Sequence, residues 1–133
     1  MATNTGIRRA YSLWAVFYDC VVRFLRWSRR RSLALLDVQT GDSVLLVGCG
    51  TGADFEFIPS DVEVMAVDLT PAMLRRAATK VGGRRIRLLE MDAMDLGFPC
   101  NTFDKTVLHL ILAVVPDPVR TLQEAERVTK PDG

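Results

Sequence analysis

A short apolar strand that runs into a glycine-rich loop is the feature that most constrains the fold of this chain. Ser43–Val47 is rich in branched side chains, and turn-forming residues bound it on both sides. Three alternating glycines follow, at Gly48, Gly50 and Gly52. Glycine accepts positive φ and lets a ligand approach the backbone closely. The sequence therefore predicts a buried strand with a ligand site at its carboxyl end.

The remaining chain alternates between strand and helix patterns. Three more strands are predicted at residues 63–67, 85–90 and 103–110, from apolar runs bounded by turn signals. Helices are predicted over residues 13–25, 32–36, 71–81 and 117–128, with a short helical piece through Phe55. Thr70 is expected to cap the helix that begins at Pro71. This order predicts an open, mostly parallel α/β sheet with helices on both faces, which binds ligands beyond the carboxyl ends of its strands.

Charge and cysteine content exclude several classes of protein. The formal net charge of +1 gives no reason to expect nucleic-acid binding, but the first 31 residues carry seven arginines and one aspartate. Any contact with a lipid surface is therefore expected at the N-terminus. Three cysteines without paired spacing indicate neither a disulfide framework nor a metal site. Because no apolar run reaches membrane-spanning length, we expect a cytoplasmic protein without a transmembrane segment.

An acidic residue at the end of the second predicted strand points to a ribose-bearing ligand. Asp68 follows Gly48 by twenty residues, and its carboxylate could accept hydrogen bonds from both ribose hydroxyls. Because Thr70 is expected to cap the next helix, Asp68 has no evident structural task. The spacing Gly48-x-Gly50-x-x-Ala53 also satisfies a dinucleotide pattern. Acidic residues at 54 and 56, however, favour a ligand that bears a cation over a pyrophosphate.

Six short motifs occur in an order that resembles the class I S-adenosylmethionine-dependent methyltransferases. They are LVGCGTG at 46–52, AVDLTPAML at 66–74, MDA at 91–93, FD at 103–104, VPDP at 115–118 and KPDG at 130–133. The segment 11–19, with its Tyr18-Asp19 pair, looks more narrowly like the branch that includes ubiquinone-type and phosphatidylethanolamine N-methyltransferases. The resemblance implies a Rossmann-like fold and S-adenosylmethionine as cofactor.

The resemblance also implies a set of cofactor-binding residues. The glycines would lie beneath the methionine part and the ribose, Asp68 would hold the ribose hydroxyls, and Asp92 would accept from the adenine amino group. Taken alone, Asp92 could equally form a turn, and a single histidine such as His109 is more often a packed residue than a base. No catalytic residue and no metal ligand is assigned. The whole implied set is Gly48, Cys49, Gly50, Gly52, Asp68, Leu69, Asp92, Ala93, Leu108, His109 and Tyr18.

The function expected from these residues is methyl transfer to a small-molecule or lipid-like acceptor. We expect one domain, in which residues 1–37 form an amphipathic helical lid and residues 38–133 form the cofactor-binding core. Two alternatives stay open: a module that binds S-adenosylmethionine or S-adenosylhomocysteine without turnover, and a dinucleotide-binding fragment.

The chain ends where the family's fifth strand would follow. The family's sheet has seven strands, whereas this chain stops at Gly133 in the KPDG turn, so the implied strand order is 3-2-1-4. Residues 107–115 are almost all apolar and would lie on the exposed edge formed by the fourth strand. Three arrangements could cover that edge: a homodimer through the fourth strand, a partner chain, or the remainder of a longer protein. We expect the homodimer.

Overall fold

The fold is a four-stranded, all-parallel sheet. The computed structural model describes residues 4–109 and 111–133. The strands are β1 (Ser43–Val47), β2 (Glu63–Asp68), β3 (Ile86–Glu90) and β4 (Lys105–Leu108), arranged in the order β3-β2-β1-β4. The order 3-2-1-4 inferred from the sequence is thereby confirmed. Because β1 and β4 are neighbours in the sheet but β2 and β3 lie between them in the chain, the strand order reverses at β1.

In the described ranges three helices accompany the sheet: α1 (Asn4–Leu35), α2 (Pro71–Ala78) and α3 (Pro118–Val128). Single 3₁₀ turns occupy Phe55–Phe57 and Ile111–Ala113. Proline stands at the start of both α2 and α3, where its missing N–H costs no helical hydrogen bond. At α3 the side chain of Asp117 also accepts a hydrogen bond from the backbone N–H of Arg120, which fixes where this helix begins.

The core lies on both faces of β1. Its residues from Val44 to Val47 are almost completely buried, as the apolar run predicted. One face packs against Leu33 at the end of α1, the Phe55 ring and Ala77 of α2. The other face packs against the loop residues Leu96 and Phe103 and against Val128 of α3. Helices thus cover both faces of the sheet, which confirms the predicted α/β class.

Several predicted boundaries were wrong. The helices predicted over residues 13–25 and 32–36 are parts of one continuous helix that ends at Leu35, because nothing between them breaks helical hydrogen bonding. β4 ends at Leu108 rather than at residue 110, which lies outside the described residues, and the chain then bends into the turn Ile111–Ala113. The run 107–115 is therefore not an edge strand along its whole length. α2 ends at Ala78, three residues before the predicted end.

In the part of the chain that the structure describes, no helix combines the length and apolar character needed to span a membrane.

Candidate ligand-binding site

A cavity of about 540 Å³ opens at the carboxyl ends of β1 and β2, where the strand order reverses. The loop after β1, the start of α2 and the loop after β3 form three of its sides. Side chains that follow β4 form the fourth: His109, Ile111, Val114, Val115 and Pro116. Methionine, leucine, isoleucine and valine side chains form much of its lining. Eight of the residues expected at the site border this cavity: Gly48, Cys49, Gly50, Asp68, Leu69, Asp92, Ala93 and His109.

The three glycines of the loop all adopt positive φ, but they differ in their surroundings. A Cβ on Gly48 would lie 2.7 Å from the side chain of Ile111, and a Cβ on Gly52 would lie 2.7 Å from the ring of Phe55. A Cβ on Gly50 would meet nothing within 4 Å. The outer glycines are therefore required by internal packing, and Gly50 is the one whose bare backbone faces open space.

Asp68 joins the end of β2 to the glycine loop. Its Oδ2 accepts a hydrogen bond of 2.9 Å from the backbone N–H of Gly50, and its Oδ1 accepts one of 2.9 Å from the N–H of Thr70. Thr70 itself makes no capping hydrogen bond through its side chain. Thr70 occupies the N-cap position of α2 as predicted, but the expectation that Asp68 has no structural task was wrong, because Asp68 accepts a hydrogen bond from the N–H of Thr70 itself. Each carboxylate oxygen still has a second acceptor position for a ligand.

The loop after β3 brings a second carboxylate into the cavity. Asp92 accepts a hydrogen bond of 2.9 Å at Oδ1 from the backbone N–H of Met94, which is the turn that its sequence context allowed. Within the described residues no group donates to its Oδ2. Ala93 is buried beside it, while Leu69 lies across the cavity and is largely exposed. An acceptor atom and an exposed apolar side chain therefore face the same space.

A buried carboxylate connects α1 to the site. Asp54, only 4% exposed, lies 2.9 Å from Nδ1 of His109 and accepts a 3.1 Å hydrogen bond from Arg29. Nε2 of His109 lies 2.9 Å from the hydroxyl of Ser32 on α1. Burial acts to raise the pKa of Asp54, but its hydrogen bond with His109 and the charges of His109 and Arg29 outweigh burial and lower that pKa. We call these four residues, Arg29, Ser32, Asp54 and His109, the α1 latch.

Cys49 is an unreactive member of the loop. Burial, together with the nearby charge of Asp68, raises the pKa of its thiol to about 12. The thiol therefore stays protonated at neutral pH, where it is neither a nucleophile nor a metal ligand. In the described ranges no three His, Cys, Asp or Glu side chains are grouped as a metal site requires.

Three of the expected site residues lie outside this cavity. Gly52 and Tyr18 border a separate cavity on the other side of the loop, and Leu108 borders neither. Sequence reasoning in turn missed Arg29, which reaches the cavity from α1. It also missed the methionines Met73, Met91 and Met94 in the cavity wall. Only the recurrence of methionine near the predicted strand ends could have indicated the three methionines.

The glycine loop follows the first strand, and an acidic residue ends the second. Both border one cavity at the switch point of a parallel sheet, and this arrangement defines a Rossmann-like domain that binds a nucleoside-containing ligand. Residues 45–133 match a family model described as a methyltransferase domain. The chain belongs to this family.

Two named proteins are similar to this chain over more residues than the family model covers. The chain is 34% identical over 132 residues to a phosphatidylethanolamine N-methyltransferase of Cereibacter sphaeroides, covering 96% of this chain and 64% of that protein. It is 39% identical over 116 residues to a demethylmenaquinone methyltransferase of Bacillus pumilus, covering 81% and 49%. The chain thus spans about half to two thirds of the length of these relatives.

Solved structures share the fold. The YcgJ protein of Bacillus subtilis superposes with a TM-score of 0.75 at 25% identity, covering 80% of this chain and 47% of that one. A SAM-dependent methyltransferase of Aquifex aeolicus gives a TM-score of 0.66 at 25% identity, with 77% and 58% covered.

Proposed function

We propose that this chain is the cofactor-binding part of an S-adenosylmethionine-dependent methyltransferase that acts on a small-molecule or lipid-like acceptor. The observation that carries the proposal is the junction of Gly50 and Asp68, where bare loop backbone and a strand-end carboxylate meet at one cavity. Membership of the methyltransferase domain family and the likeness to the Aquifex aeolicus enzyme favour this cofactor over a dinucleotide. The chain's short 3₁₀ turn after the loop also favours it, because a pyrophosphate is best held by a longer helix.

The residues around the cavity suit the parts of this cofactor. Gly50 leaves room for the ribose and methionine portion, and Asp68 would accept from the ribose hydroxyls while it keeps its bond to the loop. Leu69 would pack on the adenine, whose amino group would donate to Oδ2 of Asp92 beside Ala93. Gly48 and Cys49 would contribute backbone contacts from the same loop. We assign Gly52 a packing role, and we leave Tyr18 and Leu108 without a role at the cofactor.

When bound, the cofactor supplies an electrophilic methyl group on a sulfonium. A nucleophilic acceptor then needs mainly alignment and exclusion of water, effects worth roughly 7 to 11 kcal/mol when alignment is good. Ile111, Val114 and Val115 line the cavity and would exclude water. Both ring nitrogens of His109 are engaged by Asp54 and Ser32, so we assign His109 to holding α1 rather than to proton transfer.

The proposed acceptor is based on the relatives, and the proposed membrane contact is based on α1. Their names, a phosphatidylethanolamine N-methyltransferase and a demethylmenaquinone methyltransferase, support a small or lipid-like acceptor. We propose that residues 1–37 act as a lid on a core of residues 38–133, in a cytoplasmic protein that contacts membrane surfaces weakly. Leu13, Val16 and Phe24 of α1 are more than half exposed, close to an arginine cluster at 29–31. Co-sedimentation with anionic and neutral vesicles tests this contact.

Calorimetric titration separates the candidate ligands. We expect micromolar binding of S-adenosylmethionine and of S-adenosylhomocysteine, and no binding of NAD. If NAD binds and neither sulfur compound does, the proposal is overturned in favour of a dinucleotide-binding fragment. Binding of both sulfur compounds without methylation of any supplied amine, quinol or lipid acceptor would favour the module without turnover.

We further propose a homodimer formed through the edge of β4. The segment after α3 covers the beginning of this edge: the N–H of Phe103 donates to the carbonyl of Val128, and the N–H of Lys130 donates to the carbonyl of Phe103. Further along the edge it contributes a side-chain hydrogen bond, in which the hydroxyls of Thr106 and Thr129 lie 2.6 Å apart. Within the described residues β4 itself has a strand neighbour on one side alone, which is β1. An open parallel edge offers donors and acceptors to a second copy of the same edge.

A further inference from the structure

A second cavity of about 770 Å³ lies on the far side of the glycine loop, between α1 and the 3₁₀ turn Phe55–Phe57. Thr51, Ala53 and Arg29 border both cavities, so the loop forms a shared wall. Asp68, Asp92 and His109 border only the first cavity. The second cavity is therefore a separate site, to which the proposed methyl transfer assigns nothing.

Apolar side chains form much of the second cavity. Val22 and Leu25 enter it from α1, and Phe55 and Phe57 enter it from the turn opposite. Tyr18 lines it one helical turn before Val22. A ligand with an aliphatic or aromatic body would therefore bury apolar surface against both walls.

Positive charge dominates the polar part of its lining. The cavity is bordered by four cationic side chains and one acidic side chain: Arg26, Arg29, Lys80, Arg84 and Glu56. Two of the cations are already paired, Arg26 with Glu56 and Arg29 with Asp54, each at 3.1 Å. In the described part of the chain Lys80 and Arg84 form no ion pair, and Arg84 donates a hydrogen bond to the backbone carbonyl of Ile58. That carbonyl orients the guanidinium without neutralising it.

We propose that the second cavity binds an anionic amphiphile, which is a phosphate or carboxylate group attached to an aliphatic or aromatic body. The apolar walls would hold the body, and the two unpaired cations would hold the charged group. The inference does not depend on S-adenosylmethionine. Because Arg29 borders this cavity and also belongs to the α1 latch, a ligand here would contact the side chain that joins α1 to the first cavity.

The apolar part of the proposal is tested with two variants that make the same substitution at neighbouring positions of α1. Dodecyl phosphate, kept below its micelle concentration, is titrated into the wild type and into Val22→Trp, whose indole would occupy the cavity. Val21→Trp is the matched control, because Val21 is adjacent on α1 but does not line the cavity. We expect Val22→Trp to abolish binding and Val21→Trp to leave it unchanged, with thermal melting curves showing that both variants fold. Equal binding by the two variants would overturn the proposal.

The charged part is tested with Lys80→Gln and with probes that lack one half of the ligand. We expect Lys80→Gln to weaken dodecyl phosphate binding about threefold to tenfold, the effect of one exposed charge. Arg75→Gln, on α2 and outside the cavity, should have no effect. Dodecanol and inorganic phosphate should each bind far more weakly than dodecyl phosphate, and equal binding of either would overturn the proposal. Binding only to phosphatidylglycerol vesicles, unchanged in Val22→Trp, would assign the anion to a membrane surface instead.

Discussion

At the scale of single residues, the three glycines of the loop are required for different physical reasons. Gly48 and Gly52 allow the Ile111 and Phe55 side chains to pack against the loop, whereas Gly50 borders open space. All three have positive φ, between +55° and +81°. Positive φ alone therefore accounts for glycine at each position, and the case for a ligand depends on Gly50 and on its bond to Asp68.

Alanine substitutions should separate packing from ligand binding in this loop. Gly52→Ala adds a Cβ that overlaps the Phe55 ring, so we expect a loss of stability of about 2 to 5 kcal/mol from overpacking and backbone strain. Gly50→Ala incurs only the strain, about 1 to 2 kcal/mol, but should weaken S-adenosylmethionine binding at least tenfold. Urea denaturation and calorimetric titration measure the two effects. Undiminished cofactor affinity in a folded Gly50→Ala would contradict the role given to Gly50.

Asp68→Asn should affect both binding and stability. The amide keeps the shape of the side chain but loses the charge and one acceptor oxygen, which leaves the N–H of Gly50 or of Thr70 without its partner. We expect S-adenosylmethionine affinity to fall about 10- to 100-fold, the value of one or two charge-assisted hydrogen bonds, and the melting temperature to fall as well. Asp95→Asn, an exposed carboxylate outside the cavity, is the control. An affinity equal to that of the control would refute the assignment.

The sequence predicted where Asp68 and Asp92 lie, and it allowed the turn that Asp92 forms with Met94. Strand patterns identify the carboxyl ends of strands, so a side chain at the end of a strand can be placed at that edge of the sheet. The hydrogen bond between Asp68 and Gly50 depends instead on the local path of the glycine loop, which no periodicity encodes. The same limit explains Tyr18, whose side of the glycine loop depends on how α1 docks.

At the scale of elements, the α1 latch decides how the first helix meets the sheet. Most side chains of α1 from Ala15 to Trp27 are exposed, and its buried contact comes late, at Leu33. Arg29 and Ser32 lie near Leu33 on α1 and reach Asp54 and His109, which follow β1 and β4. The strands themselves were predictable because branched apolar runs are buried on both faces. Neither the end of β4 nor the docking of α1 was predictable, because both involve His109, which bonds to Asp54 after β1 and to Ser32 on α1.

The latch predicts a stability loss in acid. The pKa of Asp54 is lower in the folded protein than in the unfolded chain, so its contribution is fully present above about pH 4, the ordinary pKa of aspartate, and is lost as the pH falls further. Asp54→Asn removes this dependence. We expect the variant to be less stable than the wild type at pH 6, and the difference to shrink between pH 4 and pH 3. Urea denaturation across this range gives the two curves, and parallel curves would contradict the lowered pKa.

At the scale of the whole molecule, the sheet has two open edges that differ in character. β3 carries Arg87 and Glu90, charged residues of the kind that discourage edge pairing. β4 carries one charged residue, Lys105, at its start, followed by Thr106, Val107 and Leu108. Val107 is buried in the core and the following residues turn over the cavity, so less apolar surface lies on this edge than the sequence suggested. The case for a homodimer therefore rests mainly on unpaired backbone groups.

Those backbone groups point in known directions, which makes the proposed dimer testable with one proline. The N–H of Asp104 donates to Ser43 of β1, and N–H groups alternate in direction along a strand, so the N–H of Lys105 points toward the open edge. Lys105→Pro removes that outward donor and keeps the hydrogen bonds to β1. We expect the wild type to sediment as a dimer at micromolar concentration and Lys105→Pro to sediment as a folded monomer. Thr106→Pro is the contrasting variant, because the same alternation directs its N–H toward β1, and we expect it to destabilise the fold itself. A wild type that sediments as a stable monomer at this concentration would show that the β4 edge does not pair with a second copy.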